Sequence, residues 1–183
     1  MEAREEDRED AGRRLRRVED RLELAELVSR YGVAVDDRDF ARLEAMYVED
    51  SFFNGVTGRK AIMDFYRERG ASYGPTYHYP HSWHFDFESD DAATGVVNAH
   101  AELSYKGKTL WLGLRYLDRY VRENGRWCFK ARDTKFRYAL PFEEMATAYG
   151  DELRRRWPGM EDQPVDIPDK VPTYLAYRAA LKG

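Results

Sequence analysis

Ala92-Ala-Thr-Gly-Val-Val-Asn-Ala-His-Ala-Glu-Leu-Ser-Tyr105 leads through Lys106-Gly107-Lys108 into a second run from Thr109 to Arg122. Glu123-Asn124-Gly125-Arg126 then turns into a third run, Trp127 to Tyr138. In the first run Val97, Ala99, Ala101 and Leu103 alternate with Val96, Asn98, His100 and Glu102. In the last, Trp127, Phe129 and Ala131 alternate with Cys128, Lys130 and Arg132. A period of two is the mark of a strand. Asn-Gly tolerates positive φ and joins two strands as a hairpin. The stretch therefore reads as a meander of three long antiparallel strands.

Upstream the period is helical. From about Glu5 to Val35, Leu15, Val18, Leu22, Ala25 and Val28 recur at three- and four-residue steps, with Leu24, Leu27 and Tyr31 on an adjoining stripe. Asp36-Asp37-Arg38-Asp39 interrupts this pattern. Asp39 is a good N-cap for a second helix that buries Phe40, Leu43, Met46 and Tyr47. Ser51-Phe52-Phe53 reads as a short strand ended by Asn54-Gly55. Gly58 opens a third helix with Ile62, Phe65 and Tyr66 as its apolar face, and Gly70 to Pro75 reads as a loop. His78 to Glu88 is a strand, with Trp83, Phe85 and Phe87 on one side. Pro141 opens a helix to about Arg156, and Pro158 to Pro172 is an irregular arm. Helices followed by a meander predict an α+β fold, the sheet bent round the helices to leave a pocket. The divisions are a charged extension over 1–14, a domain over 15–140 and a helix with a Pro-rich arm over 141–183.

The totals narrow the function. A chain of 183 residues is one domain that needs no staple. Its single cysteine, Cys128, excludes an internal disulfide and fits a reducing, cytoplasmic setting. Its N-terminus is charged, without the apolar core of a signal peptide, and no apolar run is long enough to span a bilayer. A net charge of −4 argues against a nucleic-acid partner. Arg13-Arg14-Leu15-Arg16-Arg17 reads as the solvated face of a helix, since Glu19, Asp20 and Glu23 follow at helical spacing. Thirteen Tyr, nine Phe and four Trp supply a filled core and an aromatic lining for a small-molecule site.

Chemistry concentrates at Tyr77-His78-Tyr79-Pro80-His81-Ser82-Trp83-His84-Phe85-Asp86-Phe87, which holds three of the four histidines. A step of three along a strand cannot bring His78, His81 and His84 to one face, which argues against a metal. Cys128 has no activating histidine beside it and reads as a buried inert thiol. No Gly-x-Ser-x-Gly elbow, phosphate loop or dinucleotide fingerprint occurs, so no cofactor is expected. Acid–base chemistry remains: a histidine with a carboxylate that fixes its tautomer. Asp36 is a candidate for that carboxylate. Read by itself it is more simply a cap or turn residue of a solvated run.

A resemblance adds to this reading. Tyr31-Gly-Val-Ala-Val-Asp36-Asp-Arg-Asp-Phe-Ala-Arg-Leu43, His78-Tyr-Pro-His-Ser82 through Gly95, and Tyr116-Leu-Asp118-Arg-Tyr120 with Gly125-Arg-Trp127 are similar to the SnoaL-like branch of the nuclear transport factor 2-like superfamily. Within it the chain resembles the scytalone dehydratase and bile-acid 7α-dehydratase group. The resemblance implies a cone-shaped α+β barrel with a central pocket. It implies a cofactor-independent lyase acting on a small hydrophobic, aromatic or polycyclic hydroxylated compound. His78 would take the proton, Asp36 would orient it and Tyr31 would donate a hydrogen bond. His81, Ser82, Trp83, Phe53, Tyr116 and Arg137 would contact substrate, His81 by way of a bulge at Pro80, while His84 would face outward. The same dyad also serves isomerases and formaldehyde-releasing C–C lyases, and other members bind a ligand without catalysis. The implied assembly is a homo-oligomer, dimer or trimer, through the outer sheet face and the tails.

Overall fold

A computed structural model describes residues 2–181, with side chains from Asp7 onward. Met1, Lys182 and Gly183, parts of the expected N-terminal extension and C-terminal arm, lie outside the described residues. The chain begins with a long helix, α1 (Glu2–Asp36), then a short α2 (Phe40–Glu44). Strands β1 (Tyr47–Phe53) and β2 (Val56–Thr57) precede α3 (Arg59–Ser72). Four long strands follow: β3 (Tyr73–Phe87), β4 (Ala92–Tyr105), β5 (Lys108–Glu123) and β6 (Arg126–Pro141). They join β1 and β2 in one curved, unclosed sheet of order β2-β1-β6-β5-β4-β3. The meander from β3 to β6 is antiparallel as expected, but β1 joins β6 in parallel, so the sheet is mixed. The expected loop over Gly70 to Pro75 does not form. Helix α3 runs on to Ser72 and β3 begins at Tyr73, against Tyr105.

Helix α1 buries the Leu24 stripe and only the C-terminal end of the Leu15 stripe. Leu24, Leu27, Val28, Tyr31 and Ala34 enter the core, whereas Leu15, Val18 and Leu22 are exposed. The deciding residue is Asp20, which is buried among partners on the β5–β6 hairpin. It pairs with Arg122 and accepts the indole N–H of Trp127 at 3.1 Å. That anchor turns the Leu24 stripe inward and leaves Leu15, Val18 and Leu22 outside. Arg17, expected to be solvated, lies over the Phe87 ring at 3.9 Å and pairs with Asp90. Farther along, the N-cap at Asp39 forms as expected, its carboxylate accepting the Arg42 N–H at 2.9 Å.

The segment after Pro141 departs most from expectation. Instead of a helix to Arg156 there is a short 3₁₀ turn (Phe142–Glu144) and one turn of α4 (Met145–Ala148). The chain then returns as an arm, before α5 (Pro172–Ala180). The reason lies in β6. Strand β1 covers its edge only as far as Arg132, which leaves backbone groups beyond it to be satisfied. The arm supplies partners. Ala139 N–H donates to Arg154 O, and Arg156 N–H to Ala139 O, both at 2.7 Å. Asp166 accepts the Phe136 N–H through Oδ2 at 3.0 Å, and Val165 and Ile167 are buried.

Burial pushes the Asp166 carboxyl up, but the Phe136 N–H and the ammonium of Lys170 outweigh this and hold it below the usual carboxylate range. Its contribution is therefore complete above about pH 4, the unfolded value, and is lost as pH falls through the lower folded value. Asp166→Ala should loosen the arm by about 1–2 kcal/mol. Limited proteolysis at neutral pH should then cut residues 150–171 faster than in the parent, with the sheet's circular dichroism unchanged.

Candidate active site

The end of α1 and the start of β3 meet at Gly32. A Cβ placed there would lie 3.3 Å from the carbonyl oxygen of His78, so a small residue suits this approach of helix to strand. One helical turn on, Asp36 falls on the same face. It grips His78 twice: Oδ2 accepts the His78 N–H at 2.7 Å, and Oδ1 lies 2.6 Å from the ring Nδ1. Thr76 also donates to Asp36 Oδ1 at 2.9 Å and itself accepts from Arg38 at 2.7 Å. Arg38 reaches back because its φ of +58° ends the helix in the left-handed region. The carboxylate thus sets the tautomer of His78 with a proton on Nδ1. In the neutral ring this makes Nε2 the acceptor nitrogen of a residue that lines the cavity.

The cavity has a volume of about 700 Å³. Around His78 its wall is aromatic: Tyr31, Tyr66, Tyr116 and Phe53. Three phenols form a chain, Tyr31 to Tyr66 at 2.9 Å and Tyr66 to Tyr47 at 3.3 Å. Two links use two of the three hydrogens. With the chain running Tyr47→Tyr66→Tyr31, the Tyr31 O–H is free to donate into the cavity. Burial pushes all three phenols above their ordinary value, against a partial opposing pull on Tyr31 from Arg132, so they stay neutral donors at pH 7.

Beneath these rings lies a fully buried ion pair. Arg132 and Asp118 are both 0% exposed, joined by Nε to Oδ1 at 2.8 Å and Nη2 to Oδ2 at 2.6 Å. Tyr120 donates to Asp118 at 2.6 Å. The guanidinium carbon lies 4.1 Å from the Tyr31 ring centre, 4.3 Å from Tyr116 and 4.2 Å from Phe129. Alternation expects Arg132 on the face opposite Phe129. Lys130 is an extra residue between the pairs Arg119–Ala131 and Tyr120–Phe129, and this bulge turns Arg132 inward.

Of the residues expected at the site, Tyr31, Phe53, His78 and Tyr116 line the cavity, and Asp36 supports His78 from behind. Four others do not. The bulge expected near Pro80 forms, with His81 as the extra residue, but it leaves both His81 and Ser82 on the outer sheet face. There His81 meets His100, and Ser82 accepts from Asn98 at 3.1 Å. Trp83 returns to the inner side opposite Val97, yet it is 41% exposed and lines no part of the cavity. Arg137 is the extra residue of a second β6 bulge, between the pairs Leu114–Phe136 and Gly113–Tyr138. It points outward and donates to Asn98 at 2.9 Å. His84 lies outside as expected, opposite Val96. Sequence reasoning missed Tyr66, Thr76, Arg132 and the arm residues Arg155 and Trp157. Only Asp118, an acid among alternating apolar residues of a strand, advertised a buried partner.

Comparison with known proteins agrees with this architecture. Residues 16–133 match the SnoaL-like domain family, and the chain belongs to that family. No curated protein matches it. Among solved structures, it is similar to a hexachlorocyclohexane dehydrochlorinase, LinA type 2, at 21% identity and a TM-score of 0.67, over 80% of this chain and 99% of that one. It is also similar to a protein from Novosphingobium aromaticivorans proposed to be a scytalone dehydratase, at 22% identity and a TM-score of 0.66, over 69% and 90% of the two chains. At these identities the likeness is one of fold.

Removing one partner of a buried pair strands the other charge. Asp118→Asn or Arg132→Met should therefore each cost about 3–5 kcal/mol, measured by denaturant unfolding. In alkaline titration the phenols of Tyr31, Tyr47 and Tyr66 should ionise only as the chain unfolds. Their raised values stabilise the fold below the ordinary tyrosine range, and that contribution disappears as pH rises through the folded values.

Proposed function

We propose that this SnoaL-like domain is a cofactor-independent lyase that eliminates water, or a similar leaving group, from a small hydrophobic hydroxylated compound. The observation that carries the reading is the 2.6 Å contact between Asp36 and His78 at the wall of an aromatic cavity. In the proposed step His78 Nε2 takes a proton from a carbon already made acidic by its neighbours. The C–H electron pair becomes the new double bond. The C–O pair leaves with the oxygen, hydrogen-bonded by Tyr31, and the proton that completes the water comes from the His78 imidazolium, which returns to its neutral form. Asp36 accepts from Nδ1–H throughout and stabilises the imidazolium that forms. Tyr31 is the donor to the departing oxygen, with Tyr66 and Tyr47 behind it. The rings of Phe53, Tyr116 and Phe65 suit an aromatic or polycyclic substrate body.

A general base of this kind accounts for about 10²–10⁴ in rate, or ~3–5 kcal/mol of barrier. That is enough for an activated C–H and too little for a difficult cleavage, which is why an acidified carbon is part of the proposal. His78→Ala and Asp36→Asn should each lower kcat by about 10²-fold or more on the substrate that the parent turns over best in a panel of hydroxylated aromatics and steroids. Full activity in both variants would end the assignment. Product analysis by mass spectrometry separates loss of water from isomerisation and from release of formaldehyde.

A further inference from the structure

Arg154, Arg155 and Arg156 are consecutive on the arm, and their surroundings differ. Arg154 pairs with Asp169 at 2.9 Å. Arg156 pairs with Glu144 at 3.0 Å, Asp151 at 2.6 Å and Asp162 at 3.3 Å. These two lie on one side of an extended segment, and the alternation turns the middle one to the other. Arg155 lines the cavity and, among the described residues, has no ion pair and no side-chain hydrogen bond. Its Nε is buried without a partner, and its guanidinium carbon lies 4.4 Å from the Phe136 ring centre. The other cations at the cavity are engaged: Arg38 with Thr76 and backbone carbonyls, Arg69 with Tyr73, Lys135 with Asp133 at 2.6 Å. Asp166 feels the Arg155 charge, which helps to hold its carboxyl low, but its hydrogen bonds go to Lys170 and the Phe136 N–H, and it forms no ion pair with Arg155.

Arg155 is also firmly placed. Its N–H and C=O exchange hydrogen bonds with Gln163 at 3.1 and 3.0 Å, and the residues on either side bond to Ala139. Register ties it to the dyad. His78 pairs with Ala101, Ala101 with Leu112, Leu112 with Ala139, and Ala139 with Arg155. The two therefore occupy one cross-strand row, four strand spacings apart, or roughly 19 Å along the sheet. Curvature and two inward side chains shorten the gap that a ligand must bridge. Beside Arg155, Trp157 sets its ring edge-on to Tyr105 and Phe136, each 6.2 Å away, and all three line the cavity.

We infer that Arg155 anchors a carboxylate on the ligand, so that the substrate is an aromatic or polycyclic acid held by its acidic group at the arm while its other end faces His78. The inference rests on the proposed lyase reading only for what happens at that other end. A guanidinium fork matches a carboxylate in two parallel hydrogen bonds. The ligand would supply the partner that Nε lacks.

The test measures binding, without turnover, with matched probes: 2-naphthoate against 2-naphthamide, and pyrene-1-carboxylate against its amide, by calorimetry and Trp fluorescence. At least one acid should bind the parent about tenfold or more tightly than its amide. Arg155→Gln should abolish that preference and Arg155→Lys should keep part of it. His78→Ala should leave it intact, so a failure of the general-base reading would appear in turnover and not here. In parent protein carrying ¹⁵N-arginine, the Arg155 Nε–H resonance should shift with the acid and stay still with the amide, a readout that needs no variant to fold. A parent that prefers no acid over its amide, an Arg155→Gln variant that keeps the preference, or an unmoved resonance would overturn the inference.

Discussion

Arg132 and Asp118 carry opposite charges where neither reaches water, and the architecture of the cavity follows from accommodating them. Removing two such charges from solvent costs several kcal/mol per ion unless geometry and hydrogen bonds compensate. Here a two-point fork, the Tyr120 hydroxyl and three aromatic faces do so. Those faces belong to α1, β5 and β6. The guanidinium therefore fixes Tyr31 against the sheet, and with it the height at which the last turn of α1 crosses β3. A cation under the rings also favours electron-rich phenol faces at the cavity floor.

From that crossing comes the second arrangement, in which one carboxylate holds both the main chain and the ring of His78. A single hydrogen bond to the ring would set the tautomer and leave the residue free to slide with its strand. Two bonds couple ring orientation to strand position, and Gly32 gives the helix room to stand close enough for both. Edge strand β3 has α1 on its inner side and, among the described residues, β4 as its only strand neighbour, so its placement depends on this contact more than that of an interior strand would.

The sequence was legible where one local rule applied at a time. Periodicity gave the meander, and Asn124-Gly125 and Asp39 gave a turn and a cap. Tyr31, His78 and Tyr116, expected at the pocket from the family resemblance, fall on uninterrupted stretches and line the cavity. Legibility failed at the bulges, of which only the one near Pro80 is expected, and with the wrong outcome for His81. His81, Lys130 and Arg137 each insert a residue that alternation cannot see, and the faces of Ser82, Arg132 and Arg137 were misread in consequence. It failed also where a distant partner chose between two plausible local outcomes. Asp20 selected the buried residues of α1, and the uncovered edge of β6 drew residues after Gly150 into an arm where a helix opened by Pro141 is expected to run on. The Asp36–His78 pairing came from family resemblance, since forty residues of chain separate the two and no spacing rule joins them.

The three bulges bear on how this chain can be compared with its relatives. The chain counts positions, whereas the sheet counts rows, and the two diverge by one at every inserted residue. Lys130 inverts the alternation and Arg137 restores it, so between the two a transfer of site residues from a strand without the insertions would assign interior groups to the exterior and the reverse. The SnoaL-like match ends at residue 133, between these two insertions. Homology inference for the remainder of β6 and for the arm is sound only when it proceeds from backbone pairing, with His78, Ala101, Leu112, Ala139 and Arg155 serving as a ruler laid across the strands.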